Sequence, residues 1–101
     1  NIVVAGCSFS SNFPVSPGSY QNTLGGLQDG VVLKMNSQLT QMIWGTYLGG
    51  SGYDAAYALV PDSAGNLFVC GGTTSVNFPV TNTSTYGGRV DGFISKINAG
   101  G

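Results

Sequence analysis

Apolar residues in this chain fall in short runs that never hold a helical spacing for long. Ile2-Val3-Val4-Ala5, Val31-Val32-Leu33 and Leu67-Phe68-Val69 are rich in β-branched and aromatic side chains, and Gly, Asn, Asp and Pro bound them. That pattern predicts strands. Six are expected, at residues 2–5, 31–35, about 41–47, 55–60, 67–70 and 93–97. The connections differ in kind. Asp62-Ser63-Ala64-Gly65-Asn66 reads as a tight turn, because Gly and Asn accept the positive φ that hairpins need. Residues 36–39 form a second short connection, and Leu48-Gly49-Gly50-Ser51-Gly52 a glycine hinge. Residues 7–28 and 72–90 are long loops of matching design, each with an Asn-Phe-Pro-Val element.

The pattern also repeats. NIVVAGCSFSSNFPV at residues 1–15 returns sixty-five residues later as NLFVCGGTTSVNFPV at 66–80, with eight of fifteen positions identical. GGLQDGVVLKMN at 25–36 returns sixty-two residues later as GGRVDGFISKIN at 87–98. Repetition at a nearly fixed period signals a repeat architecture. Aligning the copies gives a four-strand unit, here lettered a to d: 55–60, 67–70, 93–97 and the counterpart of 41–47. The chain then runs b-c-d-a-b-c. Strand a is small and apolar (Ala55, Ala56, Ala58), which suits the crowded inner edge of a radial array. Four antiparallel strands per repeat is the arithmetic of a β-propeller blade.

Taken in order, GTYLGGSG-x-D, D-x-x-GN-x-x-V-x-G, NFPV and DG-x-x-x-K-x-N resemble the bacterial β-propeller repeat known as the SBBP repeat, and more distantly NHL-type blades. The chain departs from the family pattern at Pro61 before Asp62, and at Gly30 and Gly92, where Ala is common. The resemblance implies a scaffold within a long secreted or surface protein of bacteria, with no catalytic residues to carry over. The expected fold is thus all-β, with about one and a half propeller blades. Residues 1–47 supply strands b, c and d, and residues 48–101 supply a, b and c. The first blade lacks its strand a and the second its strand d. Repeats bury their faces only against neighbours, so further blades of the same protein or partner chains are expected to complete the open edges.

Composition narrows the chemistry. Charged residues are 7%, net charge is −1, and there is neither Glu nor His. No electrostatic case exists for nucleic acid, and no apolar run approaches the roughly 20 residues that span a bilayer. Ser-His-Asp and Cys-His catalysis cannot be assembled from this chain alone. The glycines form neither a dinucleotide fingerprint nor a P-loop. Cys7 and Cys70 are too few for a disulfide scaffold and too far apart for a CxxC motif, and both are expected to stay unpaired. Asp29 and Asp91 occupy one position in two repeats, which points to a turn cap before strand c rather than a metal ligand. Nothing in the spacing brings two carboxylates together. No cofactor or metal is expected, and the chain reads as a non-enzyme.

Phe13-Pro14 and Phe78-Pro79 recur, so they read as loop anchors, and Trp44 as core between blades. In an a-b-c-d blade both long loops and the glycine hinge share one face, and binding residues concentrate on such loops. Tyr20, Tyr53, Tyr86 and Arg89, with Asn22 and Asn82 near them, are the candidate ligand-binding residues. Aromatic faces beside amide and guanidinium donors suit a neutral glycan. The expected role is a scaffold or adhesion module, extracellular or on the cell surface. The alternative is an accessory propeller of a secreted polysaccharide-active enzyme whose catalytic residues lie elsewhere.

Overall fold

Each apolar run becomes a strand. The computed structural model describes residues 1–81 and 87–101. Its strands are β1 (Ile2–Ser8), β2 (Asp29–Met35), β3 (Met42–Leu48), β4 (Asp54–Pro61), β5 (Leu67–Thr73) and β6 (Asp91–Ile97). They form two antiparallel three-stranded sheets, in the orders β1-β2-β3 and β4-β5-β6.

β1 and β5 run three residues further than the apolar pattern predicts, and β2 and β6 begin two residues earlier, at Asp29 and Asp91. The extensions pass through glycines that propensity alone would leave out of a strand. Pairing holds them in: Gly6 faces Val31, and Gly71 faces Phe93. The ladder uses backbone groups, so tertiary pairing outweighs the side-chain preference. The two repeats keep one register, with Ser8 opposite Asp29 and Thr73 opposite Asp91.

The sheets pack face to face. Val32, Trp44 and Leu48 of the first sheet meet Ala56, Leu67, Val69 and Ile97 of the second, with Phe78 closing the cluster. Trp44 is buried among residues of both sheets, and its indole Nε1 donates to the Ala99 carbonyl at 3.0 Å. A buried indole N–H needs such an acceptor. Of strand a's alanines, Ala55 and Ala56 are buried and Ala58 is exposed. Two departures from the family pattern acquire a cause or its absence. A Cβ on Gly30 would lie 3.0 Å from the Leu48 carbonyl oxygen and 3.3 Å from the Ala56 amide, whereas one on Gly92 would meet nothing closer than 3.8 Å among the described residues.

The short turns close as the composition suggests. Asp62 Oδ1 accepts from the amides of Ala64 and Asn66, both at 2.9 Å, and Gly65 takes a φ of +86°. A hydrogen bond from the Asn66 side chain helps hold the half-buried Asp62 carboxyl below its usual range. At the other turn, Asn36 Oδ1 accepts from Thr40 and Gln41, and Leu39 occupies the left-handed region.

One glycine is sterically decisive. A register shift between Ala56 and Ala58 thrusts the β4 backbone toward β5, and a Cβ on Gly71 would lie 1.9 Å from the Ala55 carbonyl oxygen. Gly71→Ala should therefore cost about 2–3 kcal/mol, while Gly92→Ala should change stability by less than about 0.5 kcal/mol. Urea denaturation midpoints check this, and equal midpoints for the two variants would contradict it.

Candidate functional site

Antiparallel order sorts the connections by end. Residues 9–28, 49–53 and 74–90 leave the sheets at one end, and the tight turns close the other. A parallel bridge between Gln28 and Tyr53 shows that β2 and β4 start side by side and run the same way. The loop end of one sheet therefore adjoins the loop end of the other.

The Gly-Ser hinge lies between them and is held on both sides. Toward the second sheet, the Ser51 amide donates to Asn77 Oδ1, the Gly52 amide to Ser75 Oγ and the Tyr53 amide to Thr74 Oγ1, each at 2.8 Å. Toward the first, the Gly49 amide donates to Gln21 Oε1 at 3.0 Å, and the Leu27 and Gln28 amides donate to the Gly52 carbonyl at 3.2 Å. The Asp54 amide donates to the Gln28 carbonyl at 2.8 Å. Short Ser, Thr and Asn side chains make these contacts because their polar atoms sit close enough to the backbone to substitute for a strand partner.

Two carboxylates are buried at this seam. Asp54 Oδ2 accepts from the Gly50 amide and the Ser75 hydroxyl, both at 2.9 Å, and Oδ1 accepts from the Thr73 hydroxyl. Asp29 Oδ2 accepts from Gln21 Nε2 at 2.6 Å and the Gly25 amide at 2.8 Å, while its Oδ1 has no hydrogen-bond partner among the described residues. Asp29 and Asp91 each cap the turn before their strand, accepting from the glycine amide four residues earlier, Gly25 and Gly87.

The expectation that no two carboxylates come together is corrected. Asp29 Oδ1 and Asp54 Oδ2 each lie 2.6 Å from the point where a Cβ on Gly49 would sit, so they are at most twice that distance apart. The pairing joins residues from different sheets, which sequence spacing could not show. Both acids are closed off from solvent, and their hydrogen bonds go to loop backbone and neighbouring side chains. Burial, the main cause, pushes the Asp29 carboxyl above its ordinary value, and the Asp54 charge adds to the rise. Among the described residues, no three Asp, Glu, His or Cys side chains converge as metal ligands would.

The candidate ligand residues are spread out. Tyr20 is exposed and borders a groove of about 720 Å³ along β6, lined also by Leu48, Phe78, Phe93 and Ile97. Tyr53 is half exposed beside the hinge, and Arg89 is exposed just before β6; neither lines that groove. Tyr86 and Asn82 lie outside the described residues. The loop anchors sit on aromatic partners, with Phe13 against Tyr47 at 5.9 Å between ring centroids and Phe78 against Phe93 at 4.3 Å. Cys7 and Cys70 are exposed free thiols. Sequence reasoning missed Gln21, Thr73, Ser75 and Asn77. Ser10/Ser75 and Asn12/Asn77 are identical between the copies, and that identity was the available signal.

The raised Asp29 pKa has a consequence for stability. A carboxyl whose folded-state value lies above the ordinary 3.8 contributes fully below that value and loses its contribution as pH rises through the folded-state value. Asp29→Asn keeps an acceptor oxygen and removes the charge. As pH rises from the ordinary value of 3.8 through the raised folded-state value, D29N should melt at a temperature increasingly above that of the unaltered chain. Thermal melts followed by circular dichroism check this, and a gap that shrinks with rising pH would contradict it.

Residues 43–79 match the family model described as SBBP, beta-propeller repeat. The matched stretch begins in β3 and runs through the Gly-Ser hinge, β4 and β5 to the Phe78-Pro79 anchor, so it contains the hinge together with the side chains that hold it on the second sheet. Comparisons with curated proteins and with solved structures give no match.

Proposed function

We propose that this chain, carrying a β-propeller repeat over residues 43–79, is a non-catalytic segment of a larger propeller in a secreted or cell-surface bacterial protein. In this reading residues 1–47 supply strands b, c and d of one four-stranded blade, and residues 48–101 supply a, b and c of the next. Neighbouring blades of the same protein, or partner chains, cover the open faces and edges. The extracellular placing rests on the family resemblance and on a surface of Ser, Thr and Asn with few charges.

One observation carries the structural role. Residues at the same repeat position differ in burial according to whether a sheet lies over them. Val32 is 0% exposed beneath the second sheet, and its counterpart Ile94 is 81% exposed. On the opposite face Val69 is 0% exposed against the first sheet, and its counterpart Val4 is 41% exposed. The outer faces are therefore apolar where the inner ones are, which fits sheets made to stack in series. Each such side chain gains about 1.5–3 kcal/mol when fully covered. The isolated chain should self-associate at low micromolar concentration, and Ile94→Lys with Val4→Lys should shift it toward monomer while its strand spectrum is kept. Sedimentation equilibrium with circular dichroism tests this. A cooperatively folding monomer without those substitutions would overturn the reading.

The loop end also offers side chains to a ligand. Tyr20, Tyr53 and Arg89 are exposed on separate parts of its loops, and their side-chain types suit a neutral glycan through stacking and hydrogen bonds. On a glycan array, binding should fall by about tenfold or more for Tyr53→Ala and Arg89→Ala at unchanged melting temperature. Absence of glycan binding would leave the scaffold role alone.

A further inference from the structure

We propose that the end of β1 is an open socket for a Gly-Gly-Ser-Gly-x-Asp segment from a preceding repeat, whose following strand pairs along the free edge of β1. The inference rests on the propeller reading and names the partner that reading leaves general. β1 pairs only with β2, and no described residue makes backbone hydrogen bonds to its other edge. In the second repeat the same edge, on β5, is occupied by β4, with Asp54 opposite Thr73, Ala56 opposite Gly71 and Leu59 opposite Val69. The chain thus contains both the filled socket and the empty one.

Three features of the empty socket match the filled one. In the filled socket the Ser75 amide donates to Thr73 Oγ1 at 2.9 Å, fixing the turn whose two hydroxyls bind Asp54. In the empty one the Ser10 amide donates to Ser8 Oγ at 3.0 Å, so the turn is already formed, with no carboxylate to receive. Asn12 stands exposed where Asn77 accepts the Ser51 amide.

Gly6 is the third feature. Its counterpart Gly71 must be glycine because the Ala55 carbonyl presses on it, yet a Cβ on Gly6 would meet nothing nearer than Val31 Cγ2 at 3.9 Å. Nothing among the described residues requires glycine at position 6; a strand arriving with the β4 bulge would. One contact has no equivalent. Phe9 stands where the Thr74 hydroxyl accepts the Tyr53 amide, so that hydrogen bond is lost, while the backbone exchange made by the Thr74 amide with the Tyr53 carbonyl is still available. A second copy of this chain is not the natural occupant, because its own hinge is already held between its two sheets.

The position of Cys7 supplies a reporter. Its counterpart Gly72 faces the Tyr57 ring, with Cε2 3.6 Å from where a Cβ would sit, so a docked strand would cover the exposed Cys7 thiol and leave Cys70 open. The test uses the full chain and a synthetic peptide copying residues 49–61, which holds the hinge and strand a but no strand d. The peptide should slow alkylation of Cys7 and not of Cys70. Replacing the peptide's aspartate by alanine should weaken binding about tenfold or more, the scale of a lost charge-assisted hydrogen bond. Gly6→Ala in the chain should abolish docking without lowering the chain's own melting temperature, and Ser10→Ala should weaken it. Shielding of Cys7 in the absence of peptide would overturn the inference in favour of a second copy. A peptide that binds but is indifferent to both the aspartate and Gly6→Ala would overturn the socket and leave the propeller reading standing. Failure to bind a chain that is also a stable, cooperatively folded monomer would overturn both.

Discussion

The fold depends on how one buried carboxyl group finds its hydrogen bonds. Asp54 is removed from water at the start of β4, where an unpaired carboxylate would be prohibitively costly. Two hydroxyls and a backbone amide offset that cost, and they belong to β5, the turn after it and the hinge before β4. Satisfying the carboxylate therefore sets the path of the Gly-Ser hinge. The hinge, bonded to Gln21, Leu27 and Gln28 on its other side, in turn sets where the second sheet lies against the first. A polar device at the loop end thereby aligns the apolar faces along the rest of the strands.

This arrangement also explains the composition. The seam needs polar atoms within a bond or two of the backbone, and Ser, Thr and Asn supply them where Lys or Glu would overreach. Glycines line the same seam because the loops approach backbone to backbone. Gly49 sits between the two buried carboxylates, with no room for a side chain. A chain that is 7% charged is thus a consequence of how its sheets are joined as well as of its surroundings.

The two repeats, which share eight of fifteen positions in their first matched block, serve as an internal comparison. Asp29 is fully buried beside the hinge, while Asp91, with the same glycine contact, is only partly buried. The local turn is the same in both, so it is encoded by the residues themselves. The degree of burial is supplied by the neighbouring sheet. A Lys96 ammonium 5.6 Å from the Phe68 ring centroid offers modest electrostatic support on the open side of the second sheet, where apolar cover is absent.

The sequence by itself determined the six strands, the tight turns, the repeat and the loop end, because these follow from local periodicity, turn chemistry and the matching of one copy to the other. It pointed to Trp44 and the Phe-Pro anchors for the same reason. Strand ends were misjudged at Gly6, Gly71 and Gly72, since backbone pairing ignores the propensities from which boundaries are read. The approach of Asp29 to Asp54, the unpartnered Asp29 oxygen and the clasp of Thr73, Ser75 and Asn77 on the hinge were decided only by the tertiary structure. Those contacts join residues that are distant in sequence or lie in different sheets, and no spacing along the chain records the distance between two packed sheets.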